Sequence, residues 1–567
     1  MRRLLPLRNA VHGCSARDPA RSPAFRRRAV GHNTHQTWIA TLARLGRLAR
    51  FGMAALAALF CMQVHAAAPG ITGTHFDLRA EASRISQPDG NSVYSWGYGC
   101  NTAPAGFSPP TIAGANCPTM QIPGPTLIVN QGDIITVTLT DGLPAAAGNT
   151  SILFPGFDVC TGTIDPTTKL CSGTPTGVQG LLTREASHTV TVTYSFVAAT
   201  PGTHAYYSGT QGDLQIEMGL FGAIIVLPTS APGTLAVPTG CNPIQGTRKL
   251  LDGQPDFRNA AAAYNHSAAC YDREYLFQFS EMDPRIHAQA EQQAGNACTQ
   301  PTGCMTVETE PYHPAYFMVN GRSMPDDMDP NYAAQYPNQP YNGNPHMHPG
   351  ELVLLRIIGT GRWQHPFHEH GNHVRVLARD GNMLLAKTDA TKVAGPLLFT
   401  TTTTPGLAMD GIFYWTGKGL NWDVYAHYPG DGSVCIPDAN GYYTADPTAP
   451  NYYEWCADHN KALETHPFGK VASGGPVTLP DSHVLTNGFW YGGSPYLGPD
   501  ATMRATSPTG TTPPSGTSVN PPQTEAGFAF MWHSHNEREI TTNNIFPGGM
   551  MMMMLVDPQV FLIDESN

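Results

Sequence analysis

The densest group of reactive side chains in the sequence is a run of three histidines, His365, His368 and His370. The residues that follow, 372–380, alternate and are rich in valine, which is typical of a β-strand. On a strand, residues i and i+2 share a face and lie roughly 6.5–7 Å apart. His368 and His370 should therefore present two imidazoles to one place, a donor set that suits copper, zinc, iron or nickel. A chance cluster of surface histidines is the alternative.

A second His-x-His pair, His533 and His535, stands near the end of the sequence, with Ser534 between the two histidines. Its spacing is the same, so this pair also offers two imidazoles on one face of a strand. The chain thus carries two matched pairs of candidate metal ligands.

These motifs resemble those of the multicopper oxidase family. The family motif His-Pro-x-His-x-His-Gly is complete at residues 365–371, and the later His-Cys-His motif has Ser534 in place of its cysteine. Pro-Gly-Pro-Thr at 123–126 and the Gly-Asp pair at 132–133 match the opening of the family's first domain. The resemblance covers roughly residues 75–230 and 270–560. It implies an all-β fold of tandem cupredoxin-like Greek-key β-sandwich domains.

The first-domain copper ligands of the family are missing. One His-x-His motif is replaced by Leu153 and Pro155, and the other by Tyr207 and Gly209. The trinuclear cluster of the family uses eight histidines from four such motifs, so the resemblance implies that only half of them remain here. His204 is out of phase with the lost ligand positions and is interpreted as structural.

The type 1 copper site of the family is also incomplete. His365 matches one of its histidines, whereas Ser534 and Glu539 stand at the positions of the cysteine and the second histidine. A serine hydroxyl does not replace a soft thiolate ligand. The resemblance therefore implies no electron entry through a blue copper.

What remains is a candidate site for one transition metal, formed by four histidines. The family fold makes the two motif strands neighbours, so all four histidines are expected to bind the metal. His365 lies on the opposite face of its strand and is expected to contribute little to metal binding. Copper is the expected metal and zinc the alternative. Glu537 or Glu539 is expected nearby, and a Glu539–Arg538 ion pair is an alternative for the second. The ligands are His368, His370, His533 and His535.

Two further groups of possible ligands have simpler explanations. His346 and His348 form another His-x-His pair, but it precedes a Pro-Gly turn and has no counterpart in the family motifs. The methionine run at 550–554 could bind Cu(I), but a strand would divide its side chains between two faces. Packing in a sandwich core is the expected role of the methionines.

Residues 1–68 have the composition of a secretory leader, with eleven arginines, one acid and an apolar run before a small-residue cleavage sequence. Without them, 21 basic and 42 acidic residues remain, a formal charge near −21. Such a chain is not expected to bind nucleic acid, and no membrane span is expected after cleavage. The expected location is the periplasm or the extracellular space.

Ten cysteines remain after the leader, an even number that indicates disulfides in an exported protein. Pairing each cysteine with its nearest neighbour in sequence is the simplest hypothesis. The expected bonds are 100–117, 160–171, 241–270, 298–304 and 435–456.

The sequence predicts two domains, at 69–230 and 269–567, joined by a linker at 231–268. The second domain is expected to carry insertions at 417–475 and 500–524. A copper-dependent oxidoreductase is the favoured function, and a non-catalytic metal-binding or structural protein is the alternative. An electron donor or a metal-ion substrate is the expected partner, and a homo-oligomer is left open.

Overall fold

The structure is a computed structural model that describes residues 67–110, 112–229, 258–415, 434, 493–496, 502–503, 518–519, 527–557 and 563. All of them belong to one compact unit, Gln63–Asn567. Residues 1–66 of the predicted leader and residues 231–257 of the predicted linker lie outside the described residues, as do most residues of the two predicted insertions.

Thirteen of the described strands precede the predicted linker. They are β1 (Gly70–Thr72), β2 (His75–Ser86), β3 (Ser92–Cys100), β4 (Gly106–Ser108), β5 (Leu127–Asn130), β6 (Ile134–Gly142), β7 (Thr163–Ile164), β8 (Cys171–Ser172), β9 (Val178–Gln179), β10 (Arg184–Glu185), β11 (Val192–Val197), β12 (Gly202–Tyr207) and β13 (Phe221–Leu227).

Most of these strands form two facing sheets, one of order β12-β13-β5-β1-β4 and one of order β11-β6-β2-β3. The sequence of β6 shows why, since Ile135, Val137 and Leu139 are buried while the threonines between them are half-buried. The buried residues of both sheets meet in one core around Trp96 and Tyr206.

Seventeen described strands follow the linker. They are β14 (Arg273–Met282), β15 (Tyr316–Val319), β16 (His346–Met347), β17 (Leu352–Gly359), β18 (His365–Glu369), β19 (Val374–Arg379), β20 (Asn382–Met383), β21 (Leu385–Ala386), β22 (Asp389–Val393), β23 (Leu397–Leu398), β24 (Thr400–Thr403), β25 (Ala408–Tyr414), β26 (Gly493–Tyr496), β27 (Thr502–Met503), β28 (Ser518–Val519), β29 (Gly527–Ser534) and β30 (Met551–Val556).

A second sandwich is built from these strands. Its seven-stranded sheet has the order β15-β14-β17-β25-β19-β20 with β23 beside β19, and its six-stranded sheet has the order β16-β30-β29-β18-β24 with β26 beside β29. The core between them contains Phe367 and the fully buried Trp532, in edge-to-face contact. Met550, Met552 and Met554 are buried in the same core, as expected for sandwich packing.

Helices are few in the described residues. They are α1 (Gly212–Gln215), α2 (Pro284–Gln293) and the 3-10 helices Ala145–Ala147, Ser267–Ala269, Asp326–Met328 and Glu537–Ile540. The predicted all-β fold of sandwich domains is confirmed. None of the described helices is long and apolar enough to cross a membrane.

Three of the expected disulfides are present, and they join Cys100 to Cys117, Cys160 to Cys171 and Cys298 to Cys304. Cys270 is also disulfide-bonded. Its expected partner Cys241 lies outside the described residues, as do both cysteines of the expected 435–456 bond.

Candidate metal centre

The two histidine pairs lie on neighbouring internal strands of the six-stranded sheet. Strands β18 and β29 pair antiparallel, with His368 directly opposite His533 and Phe367 opposite Ser534. Directly opposite side chains in such a pair have Cβ atoms ~4.5–5.5 Å apart. The strand register therefore brings the two motifs together.

Three imidazoles form a compact group. One ring nitrogen from each of His368, His370 and His533 lies within 4.8 Å of the other two. The Nε2 atoms of His370 and His533 are 3.2 Å apart. All three residues are at most 6% exposed. Among the described residues, this is the one group of three or more His, Cys, Asp or Glu ligand atoms at such spacing.

Hydrogen bonds fix two of these rings. Nδ1 of His533 is 2.7 Å from the carbonyl oxygen of Ser534, which only accepts, so this Nδ1 carries the hydrogen. Nδ1 of His368 is 2.7 Å from Oγ1 of Thr400, a hydroxyl that can donate or accept, so this contact orients the ring without fixing its tautomer. In His533, Nε2 then carries the lone pair, which is the atom that a metal binds.

The electrostatics favour neutral rings. Burial, reinforced by the neighbouring His370, His535 and His533, lowers the pKa of His368 to about 3. Burial also lowers the pKa of His533, against the hydrogen bond to Ser534. Neutral imidazole is the form that binds metals, so the residues present fit a copper ion. Zinc would find the same donors.

His535 lies beside this group but differs from it. Its ring centroid is 4.7 Å from that of His368 and 5.5 Å from that of His533. Its side chain is 46% exposed, and its Nδ1 is 3.7 Å from an oxygen of Glu537. The four predicted ligands are therefore gathered in one place, as three buried imidazoles and one exposed imidazole.

The structure does not place His365 in the cluster. The ring is buried on the core side of β18, with Nδ1 2.8 Å from Glu539 and Nε2 2.8 Å from Glu281. Burial opposes a charge there, but the hydrogen bonds to both carboxylates outweigh it and raise the pKa of His365 to about 9. Both nitrogens of this imidazolium are occupied by hydrogen bonds, so His365 has no lone pair for a metal.

Glu539 belongs to this buried network and not to an ion pair with Arg538. Its carboxylate accepts hydrogen bonds from Ser534 Oγ at 2.5 Å and from the Asn536 amide at 2.9 Å. Arg538 instead donates to Asn544 and to the carbonyl of Pro314. The position that holds a cysteine in the family motif is thus a hydroxyl bonded to a carboxylate.

The lost first-domain ligand positions are filled with other contacts. Leu153 and Tyr207 are joined by two backbone hydrogen bonds of 2.7 and 3.3 Å. A Cβ atom at Gly209 would lie 2.8 Å from Cγ of Leu153, so the leucine side chain fills this space. Neither lost motif offers a metal-binding nitrogen.

The other histidines have structural partners. His204 is buried against the ring of Phe157, and its Nε2 is 3.0 Å from the carbonyl of Thr200, which agrees with the structural role expected for it. His346 is paired with Asp557 at 2.6 Å, and His348 with Glu351 at 3.2 Å.

Comparison with known proteins finds similarity to one family. Two family models, both described as multicopper oxidase, match residues 111–231 and 308–406. The second segment contains His365, His368 and His370. His533 and His535 lie beyond it.

Several solved structures are similar to the chain at low identity. A multicopper oxidase named mgLAC and a blue copper oxidase from Nitrosomonas europaea are each 14% identical, with TM-scores of 0.40. These alignments cover 85% of this chain and 86% and 85% of those chains. A copper nitrite reductase from Nitrosomonas europaea is 17% identical over 61% of this chain and 85% of its own, with a TM-score of 0.33. No curated protein matches the chain.

Two residues of the site were not found from the sequence. Thr400 stands within a run of threonines, and only the pairing of β24 with β18 places it opposite His368. Glu281 lies near the end of the buried strand β14, is distant in sequence from His365 and belongs to no motif. A charged residue in an otherwise buried strand was the one available signal for it.

We predict that Thr400→Val weakens copper binding ~10–100-fold, because the hydrogen bond that orients His368 is lost while the side-chain shape is kept. Thr400→Ser should retain most of the affinity. The exposed Thr402 on the same strand supplies the control, Thr402→Val. Competition titration with a copper chelator measures the affinities, and equal values for Thr400→Val and Thr402→Val would contradict the assigned role.

We also predict that the protein loses stability as the pH rises from about 6.5 through about 9. The pKa of His365 is raised in the folded state, so its contribution is complete below the ordinary histidine pKa and disappears above the folded value. The loss should amount to about 3 kcal/mol. Calorimetric melting from pH 6 to 10 tests this.

The variant His365→Gln should lack most of this alkaline loss, and His373→Gln, which changes an exposed histidine, should retain it. If the parent and His365→Gln lose stability in parallel over this pH range, the imidazolium is not its source.

Proposed function

We propose that this protein is an exported, copper-binding oxidoreductase with one non-blue copper site. The observation that carries the proposal is the group of three buried imidazoles, His368, His370 and His533, at neighbouring internal strands of a chain that is similar to multicopper oxidases.

The chain's own residues divide the work. His368, His370 and His533 would hold the ion, and Thr400 and the Ser534 carbonyl orient two of these rings. A bound copper ion supplies one-electron redox chemistry. Imidazole is a ligand that suits copper.

The same residues argue against the complete reaction of the larger family. Leu153 and Tyr207 replace first-domain ligands, so a three-copper cluster lacks half its histidines. Ser534 replaces the thiolate, so electrons would have to reach the site without a blue copper. The partner we propose is a small electron donor or an oxidisable metal ion that approaches the exposed side near His535.

A non-catalytic role is the second candidate, and the Glu281–His365–Glu539 network favours it. This network occupies the position that corresponds to the blue copper site of the family. Such a protein would bind a metal without oxidising a substrate. Reduction and reoxidation of the bound copper by a one-electron donor and by dioxygen distinguish the two candidates.

We predict that the purified protein binds one copper per chain, with no intense blue absorption after loading with Cu(II), because the cluster of described ligands contains histidines and no cysteine. Alanine at His368, His370 or His533 should each weaken binding severely, and His365→Ala should leave the copper content unchanged. Metal analysis and EPR spectroscopy measure these properties. Three tightly bound coppers, or a blue band with narrow hyperfine splitting, would show that ligands outside the cluster take part.

Export forms a further part of the proposal, supported by the leader composition and the disulfides. We predict that the mature protein begins near residue 67 and contains no free thiol. Intact-mass analysis with and without alkylation checks both points. An uncleaved leader, or several alkylated cysteines without prior reduction, would contradict export.

A further inference from the structure

The four cluster histidines are not equivalent. His368, His370 and His533 are at most 6% exposed, whereas the side chain of His535 is 46% exposed. His370 and His535 each directly follow the last residue of their strand, yet only His370 is buried.

The ring of His535 is also held differently. His368 and His533 each have Nδ1 fixed by a 2.7 Å hydrogen bond. Nδ1 of His535 lies 3.7 Å from a carboxylate oxygen of Glu537, which is too long for a hydrogen bond. Its backbone N–H is tied to the carbonyl of Pro366 at 2.8 Å. The backbone of His535 is therefore anchored, and its exposed imidazole lies between the cluster and Glu537.

Three buried imidazoles beside one exposed imidazole have a counterpart in zinc sites. Structural zinc sites are closed by four ligands, and catalytic zinc sites hold the metal with three and keep the fourth position for water or substrate. Here the exposed imidazole is that of His535.

We propose that His535 is an exchangeable ligand that covers a binding position for a small external molecule with one donor atom, of about the size of azide or dioxygen. This inference rests on the proposed copper site. On a bound copper ion, the external donor atom would take the place of the His535 nitrogen. The displaced imidazole would stay beside Glu537, whose carboxylate lies 3.7 Å from its Nδ1.

The test uses the copper-loaded full-length protein and azide as the probe. His535→Ala should keep one copper per chain, whereas His368→Ala should lose it. If His535 covers the position about nine-tenths of the time, its removal should tighten azide binding to Cu(II) ~10-fold. Azide affinity is read from the charge-transfer absorption and the EPR spectrum. Added imidazole should return the EPR spectrum of His535→Ala to that of the parent.

The matched control is His373→Ala, which removes another exposed histidine close to the site and should bind azide as the parent does. The inference is overturned if His535→Ala loses copper as His368→Ala does, or if azide binds the parent and His535→Ala equally. A parent protein that binds no copper would instead refute the proposed function, so the two failures are distinguishable.

Discussion

The two-residue repeat of β18 and β29 is the constraint on which the site depends. Successive side chains of a strand point to opposite faces of its sheet, so one short motif serves two environments. His365 and Phe367 enter the sandwich core, whereas His368 and His370 leave it on the other side. On β29 the same alternation separates Ser534 from His533. Trp532 and Phe367, packed edge to face, fix the register that keeps the two sets apart.

The histidines on the two faces of the sheet are in opposite electrostatic environments. On the core side, His365 is a cation held between two buried carboxylates, and the hydroxyl of Ser534 completes the network. Each ionised group there has an opposite charge within hydrogen-bond distance, which is the condition for tolerating buried charge. On the outer side, three imidazoles face one another, and burial lowers the pKa of His368 and of His533. On the core face, hydrogen bonds occupy both nitrogens of His365. On the outer face, imidazole nitrogens are gathered where a metal ion could bind.

Much of this arrangement could be predicted from sequence because it depends on short-range periodicity. The spacing of His368 and His370 predicts that they share one face of a strand, and the odd offset of His365 predicts that it lies on the other face. Pairing cysteines that are close in sequence predicts the three disulfides that are present. The contributions of Thr400 and Glu281 could not be predicted, because they depend on which strands pair and on how two sheets stack. The exposure of His535 could not be predicted for a similar reason, since His370 also directly follows its strand and yet is buried.

The replaced positions also bear on whether the histidines are remnants. A lost copper ligand leaves either a cavity or a buried polar group, and both cost stability. Here Leu153 fills the space beside Gly209, and Ser534 and Glu539 bond to each other and to His365. These positions make their contacts without a copper ion. His368, His370 and His533 instead gather three ring nitrogens at one place, while Glu369, between two of them in sequence, faces the core. The core side uses both nitrogens of its histidine in hydrogen bonds, whereas the outer side keeps a donor set that suits copper.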